Sequence, residues 1–94
     1  MKDQIMKALN ELPKLYSNEN KKPEDIDKVV KLFNPYGIGT WYLTEYDPKK
    51  EIAFGRCELQ ESELGYVYIP EIFDAIPHIE MDLYTTPKWS EISG

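Results

Sequence analysis

The stretch from Thr40 to Ile69, TWYLTEYDPKKEIAFGRCELQESELGYVYI, contains two turn signals that cut an alternating, aromatic-rich run into three short strands. Thr40 to Tyr46 alternates with period two. Trp41, Leu43 and Glu45 are expected on one face, and Tyr42, Thr44 and Tyr46 on the other. Asp47-Pro48-Lys49-Lys50 reads as a hairpin connection, with Pro at a favourable turn position. Glu51 to Leu59 is the return strand, placing Ile52, Phe54 and Arg56 on one face and Ala53, Gly55 and Cys57 on the other. Gly55 in mid-strand signals a bulge or the close approach of another group, such as the ring of Trp41 or Tyr66. Gln60 to Leu64 turns the chain again. Gly65 to Ile69 is a third strand, with Tyr66 and Tyr68 on one side. A meander of this kind needs a cover for its apolar face, and the rest of the chain must supply it.

The flanks offer short helices and a further strand. Ile5, Leu9 and Leu12 recur at four- and three-residue steps, so Lys2 to Leu12 reads as a helix stopped by Pro13. Ser17 to Pro23 is a polar loop. Asp25 to Phe33 fits two templates. Ile26, Val29, Val30 and Phe33 form a helical stripe, while the β-branched and aromatic content of Val29 to Phe33 suits a strand. Asn34-Pro35-Tyr36-Gly37 makes a turn, and Gly37 and Gly39 permit positive φ. Pro70 can open a short helix that Pro77 ends. Ile79, Met81 and Leu83 alternate with Glu80, Asp82 and Tyr84 as in a further strand. The tail from Thr85 to Gly94 has room for one helical turn. The expected fold is α+β: an antiparallel sheet of four to five strands with an N-terminal helix and one short helix, as a single domain over residues 1–94.

Charge narrows the partners. The 94 residues carry a net charge of -6. Between Glu51 and Asp74 six acids face one cation, Arg56, whereas the first fifty residues hold eight acids and nine lysines. An acidic middle repels phosphates, so no direct nucleic-acid contact is expected there. No apolar run approaches the roughly 20 residues of a membrane span, and the N-terminus lacks a signal-peptide pattern. With Cys57 as the single cysteine no internal disulfide can form, which fits a reducing compartment. The expected location is the cytoplasm, with no membrane partner.

Five short motifs, in order, carry a resemblance. They are Phe33-x-Pro35, Trp41-Tyr42-x-Thr44-Glu45-x-Asp47, Phe54-Gly55, Glu63-Leu64-Gly65-Tyr66 and Glu80-x-Asp82-Leu83. At these distances the chain resembles the domain-of-unknown-function 2958 family, small proteins of bacterial plasmids, integrative elements and phages. The similarity runs from Leu9 to about Trp89. It implies a mobile-element setting and an α+β fold, and it turns Val29 to Phe33 toward a strand. It brings no biochemical activity with it. The chain lacks insertions that some relatives carry before the last strand, so any function resting on those would be absent.

Several constellations remain to be weighed. Glu45 and Asp47 lie two apart on one strand, about 7 Å from each other, as do Glu80 and Asp82 on another. If the strands were neighbours, four carboxylates could converge on a metal for hydrolysis. The competing reading is a solvated strand face. Glu45, expected on the core face, needs a partner, and Arg56 on the adjacent strand is the candidate by cross-strand pairing. His78 has no nucleophile motif beside it, and Cys57 reads as a small core residue. No phosphate-binding glycine loop and no zinc spacing is present, so no cofactor is expected. The candidate binding residues are Trp41, Tyr42, Glu45, Tyr46, Arg56, Glu63, Tyr66 and Tyr68. Aromatics ringed by acids are the profile of a protein-binding patch. The favoured function is a non-catalytic protein-binding or accessory module. The alternatives are an acidic inhibitor of a host nucleic-acid-binding or defence protein, and a metal-dependent hydrolase. An exposed edge strand or aromatic patch could equally make a homodimer.

Overall fold

The computed structural model describes residues 1–85 and 87–92. It shows an α+β fold, with helix α1 (Lys2–Asn10), strands β1 (Val30–Phe33), β2 (Thr40–Asp47), β3 (Ile52–Glu58) and β4 (Ser62–Tyr68), helix α2 (Ile69–Ala75), strand β5 (Glu80–Met81) and helix α3 (Trp89–Ile92). The five strands form one antiparallel sheet in the order β4-β3-β2-β1-β5. The ambiguous segment resolves into a single 3-10 turn at Pro23–Asp25 followed by a strand, as the resemblance implied. The expected last strand is cut to two residues, with Leu83 and Tyr84 exposed. The helical turn expected in the tail is α3; Thr86, Ser93 and Gly94 lie outside the described residues.

One face of the sheet carries the core. Ile5 and Leu9 of α1, Leu12, and Ile69 and Ile72 of α2 pack with Val30, Leu32, Trp41, Leu43, Tyr46, Ala53 and Ile79. The helix ends two residues earlier than its apolar stripe, and Glu11 and Leu12 continue it as a turn bonded to Ala8 and Leu9.

The alternation along β2 breaks at Thr44. The register runs Trp41 opposite Cys57, Tyr42 opposite Arg56 and Leu43 opposite Gly55. It then skips Thr44 and resumes with Glu45 opposite Phe54 and Tyr46 opposite Ala53. The skipped residue is a β-bulge, which moves every later side chain to the other face. Tyr46 therefore enters the core at 2% exposure, and Glu45 leaves the face of Trp41 and Leu43. Facing residues share a side of the sheet, so Ala53, Gly55 and Cys57 lie on the core side. Ile52, Phe54 and Arg56, expected beside Trp41 and Leu43, lie on the other.

Gly55 is what lets the bulge sit against β3. A Cβ there would meet the Tyr42 carbonyl oxygen at 1.8 Å and the Leu43 Cα at 2.9 Å. The approaching group is thus neighbouring backbone, not the ring of Trp41 or Tyr66.

Candidate functional site

Strand β1 pairs with residues 40–43 of β2, and among the described residues no strand pairs with the second half of β2 on that side. The chain from Pro13 to Asn18 takes its place. The Tyr46 amide donates to the Pro13 carbonyl at 2.9 Å, and Asn18 Nδ2 donates to the Thr44 carbonyl at 3.3 Å. Glu45 completes the attachment: its Oε1 accepts from the Tyr16 amide at 2.9 Å and its Oε2 from the Asn18 amide at 2.8 Å. With 4% of its surface exposed, Glu45 satisfies the demand that a buried carboxylate be hydrogen-bonded. Tyr16 adopts a left-handed φ of 70°, a conformation that a bulky side chain holds only where its surroundings impose it.

The expected Glu45–Arg56 pair is not formed: both Glu45 oxygens accept backbone amides, and Glu45 lies opposite Phe54 whereas Arg56 lies opposite Tyr42. Arg56 faces Tyr42 and Leu64, and its guanidinium donates to Ser62 Oγ at 2.7 Å.

Between this tethered loop and the outer face of β3 and β4 lies a groove of about 500 Å³. Tyr16, Ile26, Phe54, Leu64, Tyr66 and Trp89 give it apolar walls; Asn18, Glu19, Lys21, Thr44 and Glu45 contribute polar atoms. Tyr66 touches two other rings of the lining. Its ring lies 5.2 Å from that of Phe54 and 6.2 Å from that of Tyr16, centroid to centroid, in tilted and edge-on contacts. Its phenol is held above the ordinary value, first by hydrogen bonding with the Tyr16 side chain, then by desolvation and by the charges of Glu45 and Glu19. Trp89, buried at 5% exposure, sits on α3, which packs against the 3-10 turn at Pro23–Asp25.

The sequence-derived candidates separate into groups. Tyr66 and Glu45 line the groove. Tyr42 and Tyr68 share its face of the sheet, Tyr42 with the Lys31 ammonium 5.7 Å from its ring. Trp41 and Tyr46 are core residues, and burial, then Glu51 and Asp47, push the Tyr46 phenol up. Glu63 is exposed on the opposite side of β4, facing Cys57. Tyr16, Asn18, Ile26, Leu64 and Trp89 are groove residues the candidate set lacked. Nothing in the polar run around Tyr16 marks it locally, since only the bulge at Thr44 brings that loop to β2. Phe54 joins the groove for the same reason, since beyond the bulge it lies opposite Glu45 and not on the face of Trp41 and Leu43.

The carboxylates do not converge. Strand β1 lies between β2 and β5, Glu45 serves two amides, and Asp47 Oδ1 accepts the Lys49 and Lys50 amides of the hairpin. Asp82 accepts the Tyr84 and Thr85 amides and the Thr85 hydroxyl, and it pairs with Lys31 at 3.5 Å. Among the described residues no group of three or more His, Cys, Asp or Glu comes together to hold a metal ion. Cys57 is half-buried against the core; burial, and then Glu63, push its thiol up, the opposite of an activated nucleophile. His78 is exposed and meets the edge of Tyr36 at 5.7 Å.

Comparison with curated proteins finds no match, and comparison with solved structures finds none. Residues 3–88 match the family model described as "Protein of unknown function (DUF2958)", and with nearly its whole length inside that match the chain belongs to this family.

Proposed function

We propose that the chain is a non-catalytic protein-binding module of a mobile element, working in the cytoplasm through the groove around Tyr66. The observation that carries this reading is the contiguous exposed apolar surface of Tyr16, Leu64, Tyr66 and Tyr68, at 62%, 50%, 54% and 48% exposure. Half-exposed rings and an aliphatic side chain on one sheet face, beside a concave wall, form the kind of patch that folded proteins keep for partners. The polar atoms nearest the patch favour the same reading. Glu45 is committed to the Tyr16 and Asn18 amides, so it holds the groove wall and is not a free acid or base. No helix among the described residues is long and apolar enough to cross a membrane.

A photo-crosslinking amino acid in place of Tyr66 tests the proposal. It should give discrete protein adducts in lysate of the natural host. The same residue in place of Tyr84, which is 95% exposed and away from the groove, should give none. Equal labelling from both positions, or none from Tyr66, would overturn the reading.

A further inference from the structure

Strand β4 ends the sheet, and among the described residues no other strand pairs with its outer edge. Its backbone polarity follows from two bonds at the ends of its pairing with β3. The Ile69 amide donates to the Glu51 carbonyl at 2.9 Å, and the Leu59 amide to the Glu61 carbonyl at 3.1 Å. Both join odd-numbered residues in one continuous register. In an antiparallel ladder hydrogen-bonded and non-hydrogen-bonded pairs alternate. Ala53–Val67, Gly55–Gly65 and Cys57–Glu63 are therefore the bonded pairs. Phe54–Tyr66 and Arg56–Leu64 are the others, so Leu64 and Tyr66 turn their N–H and C=O groups away from β3, to the open edge. Their side chains are the ones that line the groove. A free ladder edge and an apolar groove thus meet on the same two residues.

We infer that β4 accepts an extended segment of a basic partner protein as a sixth strand, bonded to the backbone of Leu64 and Tyr66 and laying alternate apolar side chains into the groove. This rests on the protein-binding reading and specifies its partner. Charge selects the occupant. Arg56, opposite Leu64, is turned to Ser62; from Cys57 to Pro87 the sequence has no lysine or arginine, exposed Glu58, Glu61, Glu71 and Asp74 lie to either side of β4 in sequence, and exposed Glu63 lies within it. A second copy would bring the same acids against their twins, whereas a lysine- or arginine-bearing strand would neutralise them. Strand addition of this kind draws affinity from main-chain bonds and specificity from alternate side chains.

The test is selection of a random dodecamer display library on the intact protein. Enriched peptides should alternate apolar residues with Lys or Arg. Bound peptide should slow exchange of the Leu64 and Tyr66 amides and leave the Gly65 and Val67 amides, already bonded to β3, unchanged. Leu64→Pro removes one outward donor and no bond to β3; Leu64→Ala loses the same groove side chain but keeps the donor, so Leu64→Pro should bind about tenfold or more weakly than Leu64→Ala. If Leu64→Pro fails to fold, the exchange measurement on the unaltered chain decides alone. An acidic consensus, peptides that leave both amides unprotected, or self-association that protects them without peptide would overturn the inference. Unprotected amides together with peptide crosslinks from Tyr66 would remove the added strand and leave the groove reading standing. An unenriched library would remove the added strand, and the Tyr66 crosslinks in lysate would then decide the groove reading separately.

Discussion

Glu45 links residues far apart in sequence through two backbone amides, and its removal has a definite cost. Glu45→Ala leaves the Tyr16 and Asn18 amides without an acceptor in a buried place, which should destabilise the protein by about 3 kcal/mol. Glu45→Gln keeps one acceptor oxygen but sets an amide group against the second N–H. It should recover about half of that loss. Urea unfolding of the three proteins measures both, and a Glu45→Ala variant as stable as the parent would contradict the tether. Glu45 also shows what single-residue reading could and could not reach. That an acid among strand hydrophobics needs a partner was legible. That its partners are two amides nearly thirty residues earlier was not, because Arg56 was the only candidate on the neighbouring strand.

At the level of the elements, the bulge at Thr44 and the glycine at position 55 act together. Gly55→Ala would drive a Cβ into the Tyr42 carbonyl, and the clash is with backbone that no rotamer change can relieve. The expected loss is about 3 kcal/mol or more, read from thermal or urea melts. Gly65→Ala, directly opposite on β4, meets nothing within 4 Å and should change stability by less than about 0.5 kcal/mol. Equal losses at the two glycines would refute the close approach. The strands themselves were readable from alternation, turn chemistry and the Asp47-Pro48 start of the hairpin. The sides of the sheet were not. A bulge leaves no residue-type signature at Thr44, and the one sign of it, Gly55, sits on the partner strand. A single unseen insertion therefore put Tyr46 outside and Phe54 inside. The same cause hid the groove, whose Phe54 wall reads as core until the register is known.

Stability against pH is a property of the whole chain, and Asp82 gives it one predictable limb. The Thr85 hydroxyl first, then the Tyr84 amide, the Thr85 amide and Lys31 hold the Asp82 carboxyl down at about 2, against an ordinary 3.8. A carboxyl lowered on folding stabilises the folded state fully above its unfolded value, and the contribution disappears as pH falls toward the folded one. Asp82→Asn keeps an oxygen for the turn and removes the charge. Its melting temperature should lie below that of the parent by a constant gap above about pH 5, and the gap should close between about pH 4 and pH 2. A gap that persists at pH 2 would assign the effect to the turn and not to the charge. The loop that fills the free half of β2 has a different consequence for the molecule as a whole. Residues 1–18 reach one face of the sheet through Ile5 and Leu9 and the other through the Glu45 carboxylate, while Glu19 to Lys22 is exposed. The N-terminal segment is thus built like a clasp with its joint outside. A cut in that joint would leave two fragments whose reassociation requires both faces at once, which makes the fold a natural candidate for a split reporter.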